Sequence, residues 1–71
     1  MSAWPSAKAQ RVHKALLRIG WYVVSRRGSH QKLRHRLNKF PDYVWPFHNE
    51  ELGPPMMARI AKKTGLTPDD L

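Results

Sequence analysis

The strongest constraint on the fold is a pair of strand-like segments that are separated by two turn-forming residues. The first segment, Trp21–Arg27, is rich in aromatic and β-branched residues, which favour extended structure. Gly28 and Ser29 then favour a tight turn. The second segment, His30–Leu37, resumes an alternating pattern. The sequence therefore predicts two antiparallel neighbouring strands at the centre of the chain.

Two further segments have the periodicity of amphipathic helices. The first spans Ser6–Ile19, and we expect Ser6 to be its N-cap and Gly20 to lie at its carboxyl end. The second follows Gly53, has two prolines in its first turn and closes at Gly65. His13 lies beside the apolar stripe of the first helix, where we expect a solvated surface histidine.

A third strand is predicted over Tyr43–Phe47, and Pro46 should place it at an edge of the sheet or end it. The element order is then helix, three strands, helix. Short connections favour an antiparallel meander. We therefore expect residues 1–71 to form a single α+β domain. Its three-stranded antiparallel sheet would have both helices on one face, leaving the other face to solvent and partners.

Size and composition limit the function. A chain of 71 residues buries one small core, so a functional site should lie on the surface. The formal net charge of +8 suits a polyanionic partner. The absence of cysteine excludes disulfides and thiolate metal sites. Because no segment resembles a signal peptide or a membrane span, we expect a cytoplasmic protein without a membrane partner.

The segment His30–Leu37 has the pattern that carries chemistry. Side chains alternate between the faces of a strand, so Leu33 and Leu37 should face the core together with His35. The open face would then carry one histidine followed by a cationic row: His30, Lys32, Arg34 and Arg36.

This row has the groups that binding and cutting RNA requires. Lysine and arginine bind phosphates, and histidine transfers protons near neutral pH. A base that deprotonates the 2′-hydroxyl would drive its attack on the adjacent phosphorus, without a metal or a cofactor. The alternatives are a turn histidine that bonds its own backbone and an ordinary solvated face of cations.

No metal site is expected, because His30 and His35 point to opposite faces and carboxylates are few nearby. His48, at the end of the third strand, could approach His30 if the strands pair suitably. The source of the second proton stays open among His35, His48 and a lysine.

Several short motifs extend this hypothesis: Gly20-Trp21, Arg27-Gly28-Ser29-His30, His35, Pro46-Phe47-His48, Glu51-Leu52 and Gly65-Leu66-Thr67. In this order, they resemble the HicA family of toxins. The resemblance extends from about Ala7 to Leu71.

The resemblance implies a double-stranded-RNA-binding-like fold and a toxin of a type II toxin–antitoxin system. Such a toxin is a metal-independent endoribonuclease that cleaves messenger RNA, and a HicB-like antitoxin neutralises it. The histidine of the Gly-Ser-His turn, His30, would be catalytic. Together with the cationic row, we expect the RNA-binding residues to be Arg27, Ser29, Lys32, Arg34 and Arg36.

Two other functions remain open from the sequence. A non-catalytic RNA- or DNA-binding module would use the same cationic face without needing His30. A protein-interaction subunit would use its charge only to bind an acidic partner.

Overall fold

The computed structural model describes residues 4–46 and 50–71. Three strands form an antiparallel sheet in the order β2-β3-β4, and two short strands, β1 and β5, form a separate antiparallel pair. The elements in chain order are β1 (Ala7–Lys8), α1 (Ala9–Arg18), β2 (Trp21–Arg27), β3 (His30–His35), β4 (Tyr43–Pro46), β5 (Glu51–Leu52), α2 (Pro54–Thr64) and a 3₁₀ turn (Pro68–Asp70). The α+β class and the antiparallel sheet are thus confirmed.

The first helix begins later than predicted. Lys8, in an extended conformation, is the N-cap of α1, and no side chain caps the helix. The predicted N-cap Ser6 is wrong because the next two residues form β1, in which Ala7 pairs with Leu52 of β5. The pairing of β1 with β5 therefore replaces the first turn of the predicted helix. At the other end, Gly20 follows the helix with a φ of 106°, a conformation that favours glycine.

The second helix begins and ends where its sequence predicts. Gly53 is the N-cap of α2, and proline occupies the first turn. Gly65 ends the helix in the left-handed conformation, and its N–H donates to the Ala61 carbonyl at 2.8 Å. A Cβ at Gly65 would lie 2.7 Å from the Phe40 ring, so the packing of Phe40 against this end of the helix also requires glycine.

Both helices pack on one face of the three-stranded sheet. Trp21 joins the two layers, since its indole N–H donates to the Thr64 carbonyl of α2 at 3.1 Å. The core side chains come from both helices and from the covered face of the sheet: Val12, Leu16, Trp21, Leu33, Trp45, Met57 and Ile60. Among the described residues, neither helix has the length and apolar character that a membrane span needs.

The second strand of the central pair is shorter than predicted. It ends at His35, and Leu37 is 66% exposed, so the prediction that Leu37 faces the core is wrong. The chain turns after His35 because the Arg36 N–H donates to the Gly20 carbonyl at 2.8 Å. Asn38 completes the turn with a positive φ of 55°. β4 is an edge strand that ends at Pro46, as predicted, whereas Phe47 lies outside the described residues.

Candidate functional site

The face of the sheet that the helices leave uncovered is called the open face here. Strand register arranges its residues in three rows across the sheet. The three rows are Arg27–His30, Ser25–Lys32–Val44 and Tyr22–Arg34–Asp42, in which Asp42 precedes β4 and contacts Arg34 by its side chain.

The turn at Gly28 and Ser29 positions the first row. Arg27 pairs with His30, so the two strands are joined by a two-residue loop. Gly28 has a φ of 58°, and a Cβ there would meet nothing within 4 Å. The requirement for glycine is therefore conformational, as in hairpin turns whose first central residue is left-handed. The turn makes His30 the first residue of β3.

His30 is exposed and shares the open face with two cations of its own strand. The pattern of exposure along β3 alternates: His30, Lys32 and Arg34 are exposed, whereas the intervening side chains are buried. Successive side chains on one face of a strand are about 7 Å apart. The predicted placement of the histidine at the start of a cationic row is confirmed, while its chemical role is a separate question.

Asp42 is a carboxylate on the open face that sequence reasoning missed. Its two oxygens accept from Arg34 at 3.1 Å (Nε) and 2.9 Å (Nη2), which is a bidentate pair. Lys32 Nζ lies 3.9 Å from the same carboxylate. The hydrogen bond from Arg34 lowers the pKa of Asp42, and the charges of Arg34 and Lys32 add to this effect.

The Arg34–Asp42 pair follows from register. Leu33 pairs with Tyr43, so Asp42 lies opposite Arg34 where the pairing of β3 and β4 continues. In the sequence, the segment before β4 has the pattern of a loop, with Asn38 and Pro41. The sequence does show an acidic residue, Asp42, just before the third strand. Its partner Arg34 can be identified only from the pairing of β3 with β4.

The second histidine of β3 has a different environment. His35 is 7% exposed and lies on the helix-covered face. Its Nδ1 accepts from the Leu37 N–H at 3.2 Å, so the proton lies on Nε2, which is 3.2 Å from the Ile19 carbonyl oxygen. The ring packs edge-on against Trp21 and Phe40. These contacts give His35 a structural role and separate it from His30.

The remaining predicted site residues lie around the open face. Ser29 is exposed in the turn beside His30. Arg36 is exposed but follows β3 in the turn, so it does not continue the row on the strand as predicted; its backbone bonds Gly20 instead. His48, the other candidate for proton transfer, lies outside the described residues.

His13 is not the solvated surface histidine that the sequence predicts. Its ring is partly buried and stacks on Trp45, with ring centroids 6.3 Å apart and planes 8° from parallel. Burial lowers the pKa of His13, and the nearby charge of Arg26 lowers it further. The helical pattern did not reveal this contact because Trp45 comes from the distant edge strand.

No group of three or more His, Asp or Glu side chains within residues 4–46 and 50–71 is arranged to hold a metal ion. The open face has instead an imidazole, several cations and one carboxylate. This chemistry suits a phosphate-bearing ligand.

A family model described as the HicA toxin of bacterial toxin–antitoxin systems matches residues 9–66. The match includes both helices and the whole open face. None of the curated proteins compared with the chain matches it. Because the family model covers most of the 71 residues, the chain belongs to the HicA toxin family of toxin–antitoxin systems.

Proposed function

We propose that this toxin is an endoribonuclease that cleaves messenger RNA in the cytoplasm, with His30 as its general base. The observation that supports the proposal is the exposed imidazole of His30 at the end of the open face, between Arg27 on the adjacent strand and Lys32 on its own. The cations would hold the phosphates on either side of the cleaved bond.

In the proposed reaction, neutral His30 removes the proton of a ribose 2′-hydroxyl. The 2′-oxygen attacks the adjacent phosphorus while the bond from phosphorus to the 5′-oxygen breaks, and the leaving oxygen takes up a proton. The products are a 2′,3′-cyclic phosphate and a free 5′-hydroxyl. A positioned base contributes about 10²- to 10⁴-fold to such a reaction. Nearby cations stabilise the extra negative charge of the transition state.

The sequence offers three candidate donors of the second proton. His35 lies buried on the opposite face with both ring nitrogens engaged, so we exclude it from the mechanism. Lys32, the next side chain on the open face, is the described candidate. His48 is the other candidate. We propose no metal and no cofactor, since the 2′-hydroxyl supplies the nucleophile and side chains supply the proton transfers.

A HicB-like antitoxin is the proposed protein partner, because a toxin of this family belongs to a two-protein system. An antitoxin that covers the open face would block the imidazole and the cations together. The net charge of +8 favours an antitoxin surface that is acidic where it meets this face.

The test is expression of the wild-type chain and of His30→Ala in bacteria. We expect growth arrest and shortened transcripts from the wild type, and neither from His30→Ala. Leu37→Ala changes a side chain that is 66% exposed in the turn after β3, and this matched control should remain toxic.

A non-catalytic nucleic-acid-binding module is the second candidate, and the cationic row favours it, since binding alone needs no imidazole. Equal toxicity of wild type and His30→Ala, with transcripts of normal length, would replace the nuclease by this module.

A further inference from the structure

The two ends of the open face differ in charge. The row of Arg27 and His30 forms a cationic end, and Lys32 lies between the two ends with its Nζ 3.9 Å from the Asp42 carboxylate. The far row contains a carboxylate, since Asp42 binds Arg34 through both oxygens at 2.9 and 3.1 Å. The pair neutralises much of the charge of Arg34 at that end. A phosphate should therefore prefer the first end, and an uncharged group should prefer the second.

The neutralised end also holds an exposed aromatic ring. Tyr22 of β2 is 43% exposed and lies directly opposite Arg34 in the strand register. Five large hydrophobic side chains are exposed in the described part of the chain, and Tyr22 is the aromatic one among them. Val44, another of the five, lies in the middle row of the same face and is 54% exposed.

The guanidinium beside the ring is held in place. Asp42 fixes two nitrogens of Arg34, and Tyr22 lies directly opposite Arg34 in the pairing of β2 and β3. The Tyr22 ring and the Arg34 guanidinium thus form an exposed pair of planar groups in the far row of the open face. Proteins that bind single-stranded nucleic acid stack bases on such aromatic rings and on arginine planes.

We propose that Tyr22, supported by Arg34 and Asp42, forms a stacking subsite for an unpaired base of the RNA. The proposal rests on the proposed nuclease function and adds a base-binding position to that same site. A base within a duplex has both faces covered by its neighbours, so only an unpaired base can stack on Tyr22.

The subsite is separated from the site of cleavage. Tyr22 lies one strand across the sheet from Arg34, and Arg34 is four residues from His30 along β3. Together these steps separate Tyr22 from His30 by about 14 Å. This exceeds one nucleotide step, so the stacked base belongs to a nucleotide beyond the cleaved bond. Tyr22 should therefore affect the choice of substrate and the binding step, whereas His30 affects the chemical step.

The experiment uses one short single-stranded RNA and a series of copies in which each base in turn is removed to leave an abasic sugar. For the wild type, we expect one position away from the cleaved bond where base removal lowers kcat/KM by about 10-fold. In Tyr22→Ala, kcat/KM for the intact RNA should fall by a similar factor, mainly through KM. Base removal at that position should then have no further effect.

Two variants complete the design. Tyr22→Phe keeps the ring and should behave as the wild type, and Leu37→Ala, outside the three rows of the open face, should keep the wild-type abasic profile. An abasic profile of Tyr22→Ala that equals that of the wild type would overturn the stacking subsite while leaving cleavage intact. Equal cleavage of duplex and single-stranded RNA by the wild type would also overturn it.

Binding by the His30→Ala variant, measured by fluorescence anisotropy on the same RNA series, separates this proposal from the nuclease proposal. The affinity of the His30→Ala variant for RNA should also depend on the stacked base and on Tyr22, even if the wild type cleaves nothing. If Tyr22→Ala in this background leaves RNA affinity unchanged but abolishes binding of the antitoxin, the surface binds protein and the RNA subsite is overturned.

Discussion

His30 and His35 belong to the same six-residue strand but lie on opposite faces of the sheet. His30 is exposed among cations, whereas His35 is buried and uses both ring nitrogens to join the end of α1 to the turn after β3. The comparison shows that alternation along a strand can give one residue type two roles. The open face offers its histidine to a ligand, and the covered face uses its histidine for stability.

The largest expected effect is on the open face. His30→Ala should lower the rate of RNA cleavage by about 10²- to 10⁴-fold, because a positioned base contributes that much. Its free energy of unfolding should change by no more than about 0.5 kcal/mol, since the side chain is exposed. Cleavage kinetics and urea unfolding measure the two quantities. A large loss of stability would remove the contrast between the two histidines.

The reciprocal change on the covered face should act on stability. His35→Ala should lower the free energy of unfolding by about 2–4 kcal/mol, because it removes a packed ring and two hydrogen bonds. Protein that remains folded at low temperature should still cleave RNA at a rate near that of the wild type.

His35→Phe sharpens this second prediction. It retains a ring between Trp21 and Phe40 but leaves the Ile19 carbonyl and the Leu37 N–H without the imidazole. Its stability should lie between those of wild type and His35→Ala. Loss of cleavage in fully folded His35→Phe would contradict a purely structural role for this residue.

A smaller effect is expected from the cations. Lys32→Ala should weaken RNA binding and reduce the slope of log affinity against log salt by about 1, because one phosphate contact is lost. Lys14→Ala removes an exposed lysine of α1, on the covered side of the sheet, and serves as the matched control. Equal salt slopes for both variants would mean that the open face has no special part in RNA binding.

The smallest effect concerns pH and His13. Because burial and Arg26 lower its pKa below the ordinary value of 6.5, the unfolded chain takes up a proton more readily than the folded protein. The free energy of unfolding should therefore fall as the pH decreases below 6.5. His13→Gln should flatten this part of the profile. Asp42, whose pKa is also lowered, contributes a separate loss at pH values below 3.8.

Local sequence patterns predicted the parts of the fold that depend on neighbouring residues. The Gly28-Ser29 turn, the alternation along β3 and the glycine after α2 each follow from residues within one element. The exposed position of His30 follows from the same alternation.

Contacts between distant segments were not predictable in this way. Asp42 binds Arg34 only because β3 and β4 pair in one register, and His13 stacks on Trp45 only because α1 crosses the edge strand. β1 and β5 contain two residues each, too few for a pattern. The pattern predicts that Leu37 continues the alternation of β3, but the turn after His35 interrupts it.

A comparison of cleavage products tests most directly whether His30 is the general base. Purified wild type and His30→Ala are incubated with a single-stranded RNA in the presence of a chelator, and the ends of the fragments are identified by mass. We expect fragments with 2′,3′-cyclic phosphate and 5′-hydroxyl ends from the wild type, and intact RNA from His30→Ala. The same fragments from both proteins, formed at the same rate, would contradict a catalytic role for His30.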